Sequence, residues 1–124
     1  MHPPAGGLSR NQRIRASRLF DEIFALRQRR QGRYLALWLK RGPETCRRLG
    51  VVAGRRIGGA VQRNRAKRRL REAFRLNRFR FRPDVDVVLV ALPGILEASW
   101  QGLQDDLLGT AKRAGALLDN NKPM

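Results

Sequence analysis

Apolar positions along the chain switch between helical and strand periods, and the order of the switches outlines a fold. From Ser17, SRLFDEIFALR places Leu19, Phe20, Ile23 and Phe24 at helical spacing. Ser17 stands where a capping hydroxyl belongs, and Asp21 and Glu22 come early, where the helix dipole favours acids. A polar, basic link, RQRRQG, ends at Gly32. The next segment, RYLALWLK, alternates with period two, putting Leu35, Leu37 and Leu39 on one face and Tyr34, Ala36 and Trp38 on the other. RGPETCRR reads as a turn. LGVVAG, residues 49–54, reads as a second strand, antiparallel to the first because the connection is short. After Pro83, the nearly continuous apolar run from Asp84 to Leu92 predicts a strand inside a sheet, and Pro93-Gly94 ends it. A last helix is predicted from about Ser99 to Leu118, with Leu103, Leu107, Ala111, Ala114 and Leu118 along one side. The order αββαβα describes an α+β sandwich. It forms one domain over residues 10–118, between a mobile arm at 1–9 and a fraying tail at 119–124.

Between the second strand and the apolar run lies the segment Arg63–Arg82, RNRAKRRLREAFRLNRFRFR, with ten Lys or Arg and one acid, Glu72. Wound as a helix, it projects Asn64, Arg68, Arg71, Arg75 and Arg78 within one arc. Ala66, Leu70, Ala73 and Phe74 fall on the opposite side, where a core can take them. A helix that is dry on one side and basic on the other needs a polyanion, because unrelieved like charge opposes compaction. Arg55-Arg56-Ile57-Gly58-Gly59 forms a glycine-bearing bend ahead of it.

Charge totals sharpen this picture. The net charge is +17, and residues 1–82 hold 24 of the 27 bases against only 4 of the 10 acids. Nucleic acid is the first class of partner this implies and an anionic membrane the second. Of the bases, 23 are Arg; Arg forks onto phosphate and stacks on bases, although a GC-rich genome also encodes Arg often. The apolar stretches are too short to span a bilayer, and MHPPAGGLSRNQR lacks the apolar region of a secretion signal. A soluble, cytoplasmic protein without membrane contact is expected. The lone Cys46 permits no internal disulfide.

Candidate chemistry is sparse. The single histidine, His2, falls in the arm, so a histidine base or histidine-built zinc site is not expected. Asp84 and Asp86 share a strand face and can be read as metal ligands or as a polar strand entrance. Asp105 and Asp106 read as solvated partners of the last helix's dipole. The aromatics admit two readings. Phe20, Phe24, Tyr34 and Trp38 are either a second small core under the first helix or a stacking platform beside a basic groove for single-stranded nucleic acid. With so few candidate groups, any reaction is expected to draw its chemistry from another molecule.

The segment from Arg55 to Phe74 resembles the signature of the bacterial ribonuclease P protein component: a basic pair, a glycine bend with Ala-Val, then R-N-R-x-K-R-x-x-R-E/Q. Phe20 and Phe24 look like the paired aromatics of that family's first helix. Arg33 through Leu39, Leu49-Gly50-Val51 and Asp86 to Ala91 look like its strands. The Arg55-Arg56 pair stands where Lys-Lys or Arg-Lys is common, and Trp38 where tyrosine is often seen; each keeps the charge or the π face. The resemblance implies a small α/β sandwich around a mixed sheet with a left-handed βαβ crossover. It implies the accessory subunit of an RNA-based endoribonuclease that removes the 5′ leader of precursor tRNA. Magnesium would belong mainly to the RNA subunit, with no cofactor intrinsic to the protein and no obligate protein partner. Carried over by position, Arg63, Asn64, Arg65, Lys67, Arg68, Arg71 and Arg75 would face the catalytic RNA subunit. Phe20, Phe24, Arg33, Trp38, Arg55 and Arg56 would line a cleft for the leader of precursor tRNA. A ribosome-bound RNA-stabilising protein and a metal-dependent nuclease are the competing expectations.

Overall fold

A computed structural model describes residues 13, 14 and 17–118, with the backbone alone at Ser17, so the expectations for the arm at 1–9, the tail at 119–124 and the capping hydroxyl of Ser17 lie outside what it describes. Helix α1 covers Ser17–Ala25, strands β1, β2 and β3 cover Arg29–Gln31, Leu35–Arg41 and Leu49–Val52, and helix α2 covers Ala60–Asn77. Strand β4, Val85–Ala91, and helix α3, Trp100–Arg113, complete the series. Turns of 3-10 helix at Arg55–Ile57 and Arg78–Arg80 flank α2.

The expected order αββαβα therefore gains a strand. β1 occupies part of the segment read as a link, because its residues are polar and all three are exposed. It is an edge strand antiparallel to β2, pairing Arg29 with Trp38 and Gln31 with Ala36. Charged residues suit such an edge, since they discourage pairing with another chain. The sheet runs β1-β2-β4-β3, with β4 antiparallel to β2 and parallel to β3. β2 and β3 do run in opposite directions, but they are not neighbours. β4, apolar on both faces, inserts between them and takes the position that helices cover from both sides.

Leu35, Leu37 and Leu39 are fully buried on the face expected. Val85, Val87 and Leu89 join them under Leu70 and Phe74 of α2 and Leu103 and Leu107 of α3. The opposite face meets α1, where Ile23 and Val88 are buried and Phe20, Phe24 and Trp38 are partly so. Tyr34 departs from expectation: it precedes β2, and its ring packs against the leucine-side core.

α3 starts as read, with Ser99 Oγ accepting from the Gly102 amide at 3.0 Å. It ends earlier, at Arg113, where Gly115 turns the chain with φ of 74°. Leu118 is therefore off the helix, and its amide donates to the Arg80 carbonyl at 2.8 Å. Asp106 is no simple dipole partner. Its two carboxylate oxygens accept from the amides of Arg33 and Tyr34, both at 2.8 Å, and fix the β1–β2 turn. Asp86 is buried and accepts from Arg48 Nη2 at 2.6 Å and Nε at 3.1 Å, and from the Cys46 and Arg48 amides. With its lone pairs satisfied in this way the buried carboxylate is tolerated, and it locks the loop before β3.

Candidate nucleic-acid interface

Gly58, at φ 143°, adopts a conformation that side chains other than glycine's rarely reach, and it aims the chain from β3 into α2. Ala66, Leu70, Ala73 and Phe74 are buried along one side of α2. Asn77 joins them, its Nδ2 donating to the Ala73 carbonyl at 2.8 Å and to Gln104 Oε1 at 3.0 Å. With the dry side so filled, the opposite arc holds Asn64 and Arg68 exposed and Arg71 and Arg75 half-buried. Arg65 is exposed on one flank, and Arg63 and Lys67 are half-buried on the other.

These bases do not all have the same task. Arg75 pairs with Glu72 at 2.5 Å. Arg69 ties α2 to the loop after β4, donating to the carbonyls of Leu96 at 3.2 Å and Ala98 at 2.7 Å. Arg78, expected on the arc, lies in the 3-10 turn and donates to the carbonyls of Arg47 and Cys46. Arg71 sits among like charges: burial, then Arg13 and Arg68, push its guanidinium below the usual arginine range. A bound anion would relieve that repulsion.

On the α1 side, Phe24 meets Trp38 edge-on, with centroids 4.9 Å apart and planes at 86°, and Phe20 lies 6.4 Å from Phe24. Phe20 also lies over β3 at Gly50, where a Cβ would come within 2.6 Å of the ring. Phe20, Phe24 and Trp38 belong to a second small core under α1 and are only partly covered there, whereas Tyr34 packs with the other core. A cavity of about 80 Å³ opens between Arg13, Ile14, Phe20, Gly50 and Arg71, so aromatic and basic groups converge at the outer edge of β3, where the Ile14 amide donates to the Leu49 carbonyl at 2.8 Å. The Arg29 guanidinium lies 5.8 Å from the Trp38 ring centroid. Reading β1 as a link concealed Arg29, because its three residues are all polar and exposed and carry no alternation.

Arg33, Arg55 and Arg56 are exposed together at one end of the sheet, where the start of β2 and the end of β3 flank the end of β4. They do not touch the aromatic trio. Half-buried Val52 and Val90 pack with the aromatic trio on the α1 face, whereas the Arg33 guanidinium lies 5.3 Å from the ring centroid of Tyr34, which packs on the leucine side. Among the described residues, no three His, Cys, Asp or Glu side chains gather as a metal site, and no helix is long and apolar enough to cross a membrane. His2 lies outside the described residues.

Fold and site together define a small mixed α/β sandwich with one strongly basic helix flank and a half-open aromatic face. The chain belongs to the ribonuclease P protein family, whose model, described as Ribonuclease P, matches residues 8–115. A ribonuclease P protein component from Syntrophomonas wolfei is 34% identical over 113 residues, covering 91% of this chain and 95% of that protein. One from Coxiella burnetii is 41% identical over 93 residues, covering 74% and 76%. The solved RNase P protein from Thermotoga maritima superposes with a TM-score of 0.73 at 28% identity, covering 82% of this chain and 96% of that one. The Staphylococcus aureus protein, at 23% identity and a TM-score of 0.75, shares the fold over 86% of this chain and 98% of its own. Membership makes the chain a protein component of a tRNA-processing ribonucleoprotein, and the four-stranded mixed sheet with three helices is the family's architecture.

Proposed function

We propose that this chain is the RNA-binding accessory subunit of cytoplasmic ribonuclease P, and that its two exposed features meet two different RNAs. The basic arc of α2, with Asn64, Arg68, Arg71 and Arg75 flanked by Arg63, Arg65 and Lys67, lies on the catalytic RNA. The half-open face of Phe20, Phe24 and Trp38, with Arg33, Arg55 and Arg56 at its end, takes the single-stranded 5′ leader of precursor tRNA. The observation that carries this reading is the difference in make-up between the two surfaces, which adjoin where Phe20 and Arg71 line one cavity. Charge without rings on α2 suits the phosphates of a folded RNA, whereas rings with charge nearby suit an unpaired strand.

In this reading the bond is broken at the RNA subunit, which also holds the magnesium. The protein's own acids support that division. Glu72, Asp84 and Asp86 are engaged by Arg75, Arg82 and Arg48, and Asp106 by two amides. Such a scattered, already neutralised set fits ion-pairing and capping better than cation binding.

The test is reconstitution with the organism's catalytic RNA at low magnesium, with and without the protein. Wild type should restore cleavage of precursor tRNA, and Arg68 and Arg71 both changed to Ala should weaken RNA binding and flatten its salt dependence by up to roughly 1.8 log–log units. Phe20→Ala or Trp38→Ala should weaken precursor tRNA while sparing mature tRNA, by about tenfold if one stacked base is lost. Equal losses for both tRNAs would remove the leader from this face. Cleavage by the protein alone would overturn the accessory role.

A further inference from the structure

Just beyond α2, Phe79 is 71% exposed, on a chain whose other phenylalanines are at least half covered. Single exposed apolar residues are ordinary, but the surroundings of this one are not. The guanidinium carbons of Arg47 and Arg78 lie 5.1 and 5.3 Å from its ring centroid. Both arginines are anchored. Arg47 holds a left-handed backbone at φ 60°, fixed by its amide to the Val85 carbonyl at 2.6 Å and its Nε to the Phe81 carbonyl at 2.9 Å. Arg78 Nε in turn donates to the Arg47 carbonyl at 3.3 Å. An unfavourable backbone conformation held by several bonds is a mark of a constructed site. Burial and the neighbouring Arg47 push the Arg78 guanidinium below its usual range. Arg80 is exposed next to the ring, and among the described residues no carboxylate pairs with Arg47, Arg78 or Arg80.

We propose that Phe79, with Arg47 and Arg78, is a stacking site for an unpaired base of the RNA that lies along α2. The site rests on the preceding assignment of α2 to the catalytic RNA, and it makes that contact more than a charge match. Phosphates alone would be served by the guanidiniums. An exposed ring beside them selects a base turned out of a helix, whose π face the ring covers while the two guanidiniums reach the flanking phosphates. The site lies at the opposite end of α2 from the guanidiniums of the proposed leader face. Eighteen residues of α2 span about 27 Å, and Arg55 and Arg56 precede the helix whereas Phe79 follows it. The absence of paired carboxylates beside these arginines favours a polyanion over an apolar protein surface.

The experiment titrates the full-length chain with the catalytic RNA across a salt series. Phe79→Ala should bind roughly tenfold more weakly, with an unchanged salt slope, because no phosphate contact is lost. Phe79→Trp should restore affinity and Phe79→Leu should not, since only the former keeps a π face; that pair decides the matter even if the alanine variant is less stable. Wild-type affinity in Phe79→Ala, or rescue by leucine, overturns the stacking site, and leucine rescue would point to an apolar partner. If the Arg68 and Arg71 changes are also silent, the assignment of α2 itself falls. If those changes act and Phe79→Ala does not, only the stacking site falls.

Discussion

On the leucine side of the sheet, Leu37, Leu89, Leu70, Phe74 and Leu107 are all fully buried, whereas on the α1 side, among the described residues, Ile14, Ile23, Ala36 and Val88 are buried but Phe20, Phe24, Trp38, Val52 and Val90 stay partly open. The difference is one of cover. Among the described residues, two helices of 18 and 14 residues lie over the first face, and one helix of nine residues over the second. Nine helical residues span about 13 Å, while four strands spaced at about 4.8 Å present a wider surface. α1 is too short to dry its face, and the aromatics it leaves half-wet are those assigned to the leader. One side of the sheet is closed and dry, and the other is half-open, as the proposed leader contact requires.

The largest effect that would break this contrast is a matched pair of truncations. Phe74→Ala should cost about 3–5 kcal/mol in urea denaturation, as expected for a fully buried ring. Phe24→Ala should cost about 1–2 kcal/mol, because the ring already keeps part of its water contact. Equal losses would make the α1 side an ordinary core. A second pair separates the arginines of α2 by task. Arg69→Ala removes two bonds to backbone carbonyls and should lower stability by about 1.5–3 kcal/mol while leaving the salt dependence of RNA binding intact. Arg68→Ala should do the reverse, with stability within about 0.5 kcal/mol of wild type and the salt slope reduced by roughly 0.9. A flattened slope for Arg69→Ala would mean that the tie to the 93–98 loop does not keep it from RNA.

The smallest effect concerns acid. The hydrogen bond from Arg75, aided by its charge, holds the Glu72 carboxyl below the usual carboxylate range. A depressed pKa in the folded state contributes stability above the unfolded pKa, and that contribution is lost as pH falls through the folded one. Wild type should therefore exceed Glu72→Gln slightly at neutral pH, with the gap closing in acid. A gap that stays constant down to pH 2 would rule out the ion pair as its cause.

Local pattern made much of this legible. Period two in LALWL and helical period across Ala66, Leu70, Ala73 and Phe74 named the buried faces correctly, and the glycine bend at Gly58 marked where α2 begins. What escaped depends on partners distant in sequence. Asp106 looks solvated until Arg33 and Tyr34, more than seventy residues away, bring their amides to it. Alternation alone put Tyr34 with Trp38, but the turn that Asp106 fixes swings it toward the leucine side. β1 is too short and too polar to announce itself, and with it Arg29 was missed as a neighbour of Trp38. No local rule shows that β4 parts β2 from β3. At the interface, the positions of the bases on α2 were foreseeable; which of them the protein uses internally, as with Arg69 and Arg78, was not.

The placing of β4 also governs when this domain can form during synthesis. Until Val85 to Ala91 has been translated, β2 and β3 lack the strand that lies between them, and Leu70 and Phe74 have no completed sheet to bury against. The most cationic stretch of the nascent chain is thus made before the scaffold that organises it. Native order arrives late, once codons 85 to 91 have supplied the strand that lies between β2 and β3.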